Sequence, residues 1–309
     1  MASAKAKEAL FAEVKAEESA VSTVSVDRMA APQMGADILQ SSNLTRRALP
    51  LASASLVALL VGLFGSGIYV YCGRWAYLAI AVVLTAPSVL APFVAPPAVD
   101  AGRPLGERYG VKATLWLAIF GFVGNWFWSH YFYTLLGATY TFDAHALNGA
   151  PVVAYLLTHV YFLVYHIAAA GVLRRLAAAG VAGPVYFAAV GGLAYTAAVF
   201  EAVSIAHFPG YSFPDVAAAV GPGAVVYALY FVVSFPAYTR LDAGRKGWSM
   251  RRVAADALAA TMAVTLLLDF WRVGIGRVYG GDPVVGGMRI EGAGSEGGGG
   301  GGDARVPWI

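Results

Sequence analysis

Apolar runs that are long enough to cross a lipid bilayer recur along most of this chain. A transmembrane helix needs about 20 apolar residues, and such runs fall at residues 49–71, 75–95, 113–136, 151–173, 185–206, 216–238 and 253–276. Only 13% of the 309 residues are charged and 59% are hydrophobic, whereas a soluble domain carries about 25% charged residues. The sequence therefore predicts an all-α, polytopic membrane helix bundle of about seven transmembrane helices.

The ends of the chain differ from this apolar region. Residues 1–48 are mixed in charge and rich in alanine, and they predict a mobile N-terminal extension in the cytosol. Residues 280–309 contain a run of glycine at 297–302 and predict a disordered tail. The membrane-embedded domain is thus placed at residues 49–279. Six spans remain an alternative, because four prolines crowd the end of the second run, namely Pro87, Pro92, Pro96 and Pro97.

Lysine and arginine are concentrated in alternate loops. The loops before the third, fifth and seventh runs hold Arg103, Arg108, Lys112, Arg174, Arg175, Arg240, Arg245, Lys246, Arg251 and Arg252. The loops at 137–150 and 207–215 contain no lysine or arginine. Because basic loops stay on the cytosolic side, the pattern predicts a cytosolic N-terminus and a C-terminus on the opposite side.

Ionisable side chains interrupt four of the apolar runs. A helix rises 1.5 Å per residue, and on that scale four groups fall at a similar depth near the non-cytosolic face: His130, His159, Glu201 and Asp269. Ionisable groups inside a membrane are costly and usually mark a site. We therefore expect these four to share one polar pocket, with Glu201 foremost because its own run contains no lysine or arginine.

Four further side chains are candidates for substrate binding: Asn125, Trp126, His166 and Arg272. Trp126 shares a helix face with His130, and His166 lies two turns from His159. Other interpretations stay open. Arg272 can form a purely structural pair with Asp269 three residues before it. Asn125 and the histidines can simply form hydrogen bonds between helices.

The composition also bears on cofactors. A single cysteine, Cys72, allows neither a disulfide framework nor a cysteine metal cluster. A retinal protein needs a lysine within a span, but Lys246, the only lysine after Lys112, lies in a loop. Histidine ligation of haem or another metal remains an alternative.

Several long blocks of the chain match a known family. They include GNWFWSHYFYTLLGATYTF at 124–142, FEAVSIAHFP at 200–209, YALYFVVSFPAYTRLD at 227–242 and RVAADALAATMAVTLLLDFWR at 252–272. From about residue 108 to 279 the chain resembles the cycloeucalenol cycloisomerases of sterol synthesis. The resemblance implies an intramolecular lyase of the endoplasmic reticulum membrane, whose partners are a cyclopropyl 4α-methyl sterol and the lipid bilayer, with no nucleic acid. It leaves the oligomeric state open.

The implied reaction opens the 9β,19-cyclopropane ring of cycloeucalenol and gives obtusifoliol. A proton enters at C19, a cation develops at C9, and a proton leaves C8, so neither a redox cofactor nor a metal is needed. This chemistry suggests Glu201 or Asp269 as the acid and His159 as the base. His130 would orient one of these groups, and Trp126 would shield the cation. A non-catalytic sterol-binding protein is a further alternative.

Overall fold

The computed structural model describes residues 49–242 and 247–278, which are mostly helical. The predicted N-terminal extension and glycine-rich tail lie outside the described residues. In chain order the helices are α1 (Leu49–Gly65), α2 (Arg74–Val94), α3 (Tyr109–Val123), α4 (Ser129–Leu136), α5 (Val152–Ala178), α6 (Gly183–Ala206), α7 (Val216–Val220), α8 (Pro222–Thr239) and α9 (Met250–Gly274).

Short elements connect these helices. The end of α1 is π-helical over Ala58–Gly65, and a second π-helix, Gly124–Trp128, joins α3 to α4. Single 3₁₀ turns lie at Ile68–Tyr71 and Leu105–Glu107. Two-residue strands form two antiparallel pairs, β1 (Thr139–Tyr140) with β4 (Tyr211–Ser212) and β2 (Ala146–Leu147) with β3 (Ala150–Pro151).

The prediction of an all-α polytopic membrane bundle is confirmed. Within the described residues, five helices are long and apolar enough to cross a membrane: Arg74–Val94, Val152–Ala178, Gly183–Ala206, Val216–Thr239 and Met250–Gly274. The first predicted run yields a shorter apolar helix, and the third is divided by its π-helix. The count of seven spans and the side of the N-terminus therefore stay predictions.

The second run, whose end is crowded by four prolines, is one continuous helix. Pro87 and Pro92 both lie inside α2. Proline is tolerated in transmembrane helices because side chains and neighbouring helices can satisfy the backbone groups that it frees. The proline cluster therefore does not break this segment before Val94.

Helix α5 lies at the centre of the bundle. It contacts α2, α3, α6 and α8, and a larger share of its apolar window is buried than in the other four long helices. Helix α6 packs along α8, and both helices bury alanines, among them Ala194 and Ala198 on α6 and Ala224 on α8. Small side chains allow two membrane helices to approach closely, so this pair forms a tight wall beside α5.

Basic residues gather at one end of the bundle. Arg174, at the end of α5, donates hydrogen bonds to the Thr239 carbonyl oxygen at 2.8 Å and to the Tyr109 hydroxyl at 2.9 Å. Arg240 pairs with Asp256 across 2.7 Å. The start of α3 and the ends of α5 and α8 thus lie together, as the alternation of loop charges requires.

The two loops without lysine or arginine meet at the opposite end. Strands β1 and β4 pair them, and the Thr141 amide donates to the Gly210 carbonyl oxygen at 2.9 Å. Arg74 at the start of α2 contacts Asp143 across 2.9 Å, and its hydrogen bond lowers the pKa of that carboxyl group. These contacts tie the two loops to one another and to α2 at one face of the bundle.

The sequence position of Lys112 suggested a loop, but the residue lies in a helix. It occupies the first turn of α3, where its Nζ atom is 2.8 Å from Asp242 Oδ1 and 3.0 Å from Oδ2. The two side chains are 3% and 7% exposed. A buried ion pair therefore fastens the end of the α8 segment to the start of α3.

Candidate active site

An apolar cavity opens between α1, α2, α5 and α6. The open space between its walls, together with the adjoining solvent, amounts to about 710 Å³. Most of its wall is aliphatic or aromatic, and its lining residues are Leu59, Leu63, Phe64, Tyr77, Ile80, Ala81, Phe142, Val153, Ala154, Leu157, Thr158, Tyr161, Glu201, Ile205, Phe208 and Tyr211. The Tyr77 hydroxyl is already engaged, since it donates to the Tyr69 carbonyl oxygen at 2.9 Å.

A second cavity adjoins the first and is more polar; its open space, together with the adjoining solvent, amounts to about 560 Å³. It lies among the second π-helix, α4, α5, α6 and α8. Its lining residues are Gly124, Asn125, Trp128, Ser129, Phe132, Tyr133, Ala154, Thr158, Phe162, Glu201, Ile205, Tyr211, Tyr227 and Tyr230. We call the two spaces the apolar cavity and the polar cavity.

Glu201 lies where the two cavities meet. It belongs to both linings, together with Ala154, Thr158, Ile205 and Tyr211. The side chain is buried, and its Oε2 atom has no hydrogen-bond partner among the described residues. An unpaired carboxyl group at the junction of two cavities is free to act on a bound molecule.

Tyrosines surround this carboxyl group. Five of them lie close enough to interact electrostatically with Glu201: Tyr161, Tyr165, Tyr211, Tyr227 and Tyr230. Tyr211 belongs to β4, outside the long helices, and burial raises the pKa of its hydroxyl group. The Tyr211 hydroxyl group therefore stays protonated over the physiological range. It adds no negative charge beside Glu201.

The π-helix at Gly124–Trp128 shapes one wall of the polar cavity. Such wide turns are frequent at functional sites because they change which side chains face inward. Trp128 is held there by a hydrogen bond from its Nε1 atom to Thr265 Oγ1 at 2.9 Å, and its ring centroid lies 4.7 Å from that of Tyr230. Gly124 leaves room for the indole, since a Cβ atom at this position would lie 2.7 Å from Trp128 Cε3.

We predict that Gly124→Ala lowers both stability and turnover. The added methyl group must displace the Trp128 ring, and overpacking of this kind costs about 1–3 kcal/mol. Thermal unfolding in detergent measures the stability, and an activity assay measures the site. Gly121→Ala is the matched control, because its Cβ would meet only Thr158 Cγ2 at an ordinary 3.6 Å. Equal effects of the two variants would contradict this account of Gly124.

Two of the side chains expected from the sequence line the cavities. Glu201 borders both, and Asn125 borders the polar cavity, where its Nδ2 atom donates to the Gly121 carbonyl oxygen at 2.8 Å. His159 follows the lining residue Thr158 and is buried, but it lines neither cavity. Its Nε2 atom has no hydrogen-bond partner within the described part of the chain.

His166 is enclosed in the core. Its Nδ1 atom lies 2.7 Å from the Phe162 carbonyl oxygen, and its Nε2 atom lies 2.9 Å from Ser234 Oγ. Aromatic rings from three helices surround the imidazole, among them Trp116, Phe235 and Tyr238. Both ring nitrogens are therefore occupied by the protein, away from the cavity linings.

His130 and Trp126 meet on another surface. Asn148 links them, since its Nδ2 atom lies 3.2 Å from His130 Nε2 and donates to the Trp126 carbonyl oxygen at 2.8 Å. Neither His130 nor Trp126 lines the apolar cavity or the polar cavity. Both side chains are only partly buried.

Asp269 and Arg272 form the pair that their spacing predicts. The Arg272 Nη2 atom lies 2.7 Å from Asp269 Oδ1, and both side chains are partly exposed at 32% and 41%. Tyr131 also donates to this oxygen at 3.3 Å. The four ionisable groups thus do not converge on one pocket: Glu201 alone among them lines the cavities.

The residues that the sequence did not single out are mainly aromatic. Tyr161, Tyr211, Tyr227 and Tyr230 line the cavities, and Trp128 rather than Trp126 forms the polar cavity wall. A signal existed on α8, where Tyr227 and Tyr230 lie three residues apart on one helix face. Tyrosines in a membrane protein are ordinarily interfacial, so this spacing alone does not indicate a cavity.

The histidines do not assemble into a metal site. Within residues 49–242 and 247–278, no group of three or more His, Cys, Asp or Glu side chains is placed to hold a metal ion.

The fold and the site define a class: a polytopic membrane protein with two adjoining cavities inside its helix bundle and one buried carboxyl group where they meet. No family model matches the chain, and no solved structure matches it. The cycloeucalenol cycloisomerase of Arabidopsis thaliana is 41% identical over 209 residues, which cover 65% of this chain and 75% of that protein. The chain belongs to the cycloeucalenol cycloisomerase family.

Proposed function

We propose that this protein is a sterol isomerase that opens the 9β,19-cyclopropane ring of cycloeucalenol and forms obtusifoliol. The observation that carries the proposal is Glu201, a buried and unpaired carboxyl group between two cavities in the membrane bundle. Family membership supports the substrate class, because the Arabidopsis relative is named for cycloeucalenol.

The first step is protonation of the cyclopropane. The Glu201 carboxyl group gives its proton to C19, the C9–C19 bond supplies the electron pair, and a cation forms at C9. The acid must keep its proton at neutral pH, which an apolar enclosure without a cationic partner favours. Among the described lining residues Glu201 is the only Asp, Glu, His, Lys or Arg, so the chain offers this step one donor of that kind.

The second step removes the proton from C8. In 9β,19-cyclopropyl sterols the cyclopropane and the C8 hydrogen lie on the same face of the ring system. The carboxylate left on Glu201 after the first step therefore faces the C8 hydrogen, takes it, and returns to the acid form as the C8–C9 double bond appears. We assign both transfers to Glu201, because His159 does not line the cavities.

Aromatic faces stabilise the intermediate cation. Trp128, Tyr211, Tyr227 and Tyr230 line the polar cavity beside Glu201. A desolvated cation over an aromatic face gains about 2 kcal/mol. These rings also exclude water, which would otherwise trap the C9 cation as an alcohol.

The balance of protons and electrons in the reaction determines the class of enzyme that we propose. One proton enters, one proton leaves and there is no net oxidation or reduction, so the proposed enzyme is an intramolecular lyase whose reaction needs neither a redox cofactor nor a metal. The same substrate class suggests the endoplasmic reticulum membrane as its location.

Conversion of the sterol tests the proposal. Membranes that contain the wild-type protein are expected to convert added cycloeucalenol to obtusifoliol, as measured by gas chromatography and mass spectrometry. Membranes that lack the protein are the control. A protein that binds cycloeucalenol without converting it would instead be a sterol-binding protein, and this outcome would contradict the proposal.

A further inference from the structure

We infer that the sterol binds with its 3-hydroxyl group in the polar cavity, against Asn125 and Ser129, and with its alkyl side chain in the apolar cavity. The inference rests on the proposed function and adds the orientation of the substrate to it. It also names two residues that set specificity for a sterol alcohol.

The connectivity of the substrate fits the shape of the site. The cyclopropane consists of C9, C10 and C19, and C10 belongs to the same ring as the carbon that bears the hydroxyl group. When the cyclopropane lies at Glu201, the hydroxyl group is therefore one ring away, and the alkyl side chain extends in the opposite direction. Glu201 borders both cavities, so these two ends of the sterol fall on opposite sides of it.

The polarity of the two cavities indicates which end of the sterol each cavity binds. The apolar cavity is walled largely by aliphatic and aromatic residues such as Leu63, Ile80 and Phe208. The polar cavity adds an amide and a hydroxyl group from Asn125 and Ser129. A hydroxyl group buried without a partner is costly, so the alcohol end belongs beside these two side chains.

The π-helix positions Asn125 and Ser129 to bind the sterol hydroxyl group. They are four residues apart at the wide turn, and both line the polar cavity. The Asn125 amide nitrogen donates to the Gly121 carbonyl oxygen at 2.8 Å, which fixes the side chain and leaves its carbonyl oxygen as an acceptor. Ser129 Oγ forms no side-chain hydrogen bond with the described residues, so it can either donate or accept.

The test compares cycloeucalenol with its 3-deoxy analogue, which lacks only the hydroxyl group. The wild-type protein is expected to isomerise the analogue with a kcat/KM lower on the order of 10-fold, the effect of lost hydrogen bonds. Asn125→Leu and Ser129→Ala should each lower kcat/KM for cycloeucalenol by a similar factor and leave the value for the analogue nearly unchanged. The two variants remove different groups, so misfolding of one leaves the other informative.

Thr196→Val is the control, because the Thr196 hydroxyl donates only to the Gly192 carbonyl oxygen at an exposed position on α6. This variant should treat both sterols as the wild type does. Equal kcat/KM values of the wild type for the two sterols would overturn the inference and leave the proposed function standing. Equal losses on both sterols in the Asn125 and Ser129 variants would also overturn it. A wild-type protein that converts neither sterol would contradict the proposed function itself.

Discussion

Glu201→Gln is expected to lower the turnover of cycloeucalenol by ~10²–10⁴-fold, the usual contribution of a general acid–base group. Glutamine keeps the shape of the side chain but has no carboxyl proton to give to C19. Because Glu201 Oε2 has no hydrogen-bond partner within the described residues, the substitution should break no contact of that atom. Folding, measured by thermal unfolding in detergent, and sterol binding should therefore both be retained.

Asp215→Asn is the matched control for this substitution. Asp215 is exposed and caps α7 by accepting a hydrogen bond from the Ala218 amide at 2.9 Å, and asparagine caps helices equally well. Turnover in this variant should equal that of the wild type. Near-normal turnover in Glu201→Gln would show that Glu201 is not the acid.

Lys112→Met is expected to destabilise the folded protein by about 3–5 kcal/mol. The substitution leaves the Asp242 carboxylate buried without its cation, because both side chains are at most 7% exposed in the native pair. Thermal unfolding in detergent should show a clearly lower midpoint. The pair fastens the start of α3 to the segment after α8, and α8 carries the cavity residues Tyr227 and Tyr230.

A second substitution separates charge burial from simple loss of contact. Lys112→Met combined with Asp242→Asn removes both charges, and asparagine tolerates the positive φ of 61° at this position. The double variant should recover most of the stability. Arg74→Met breaks the exposed pair with Asp143 and should change the midpoint little. A double variant as unstable as Lys112→Met would contradict the buried-charge explanation.

The helical fold could be predicted from the sequence because the bilayer limits the choices so strongly. Long apolar runs marked the five long helices, and the alternation of basic loops agrees with which helix ends lie together. The π-helix at Gly124–Trp128 could not be predicted, since hydropathy does not distinguish a wide turn from an ordinary one. The buried position of Lys112 could not be predicted from the sequence either. Its partner Asp242 is distant in sequence, and a basic residue at the edge of an apolar run is normally a loop residue.

The site was only partly accessible from the sequence. The sequence gives the depth of a side chain along its helix but not the direction that it faces, so four groups at one depth need not converge. Glu201 faces the cavities, whereas Asp269 pairs with Arg272 and His130 contacts Asn148. The tyrosines around Glu201 come from α5, β4 and α8, so only tertiary packing brings them together.

The most direct measurement runs the conversion with purified protein in D₂O. The proposed reaction predicts that the cyclopropyl proton signals disappear and that obtusifoliol carries one deuterium in its C19 methyl group, because the Glu201 proton exchanges with solvent between turnovers. The Arabidopsis relative, treated in the same way, is the positive control. Unchanged cycloeucalenol in a preparation that is folded, while the relative converts it, would contradict the account.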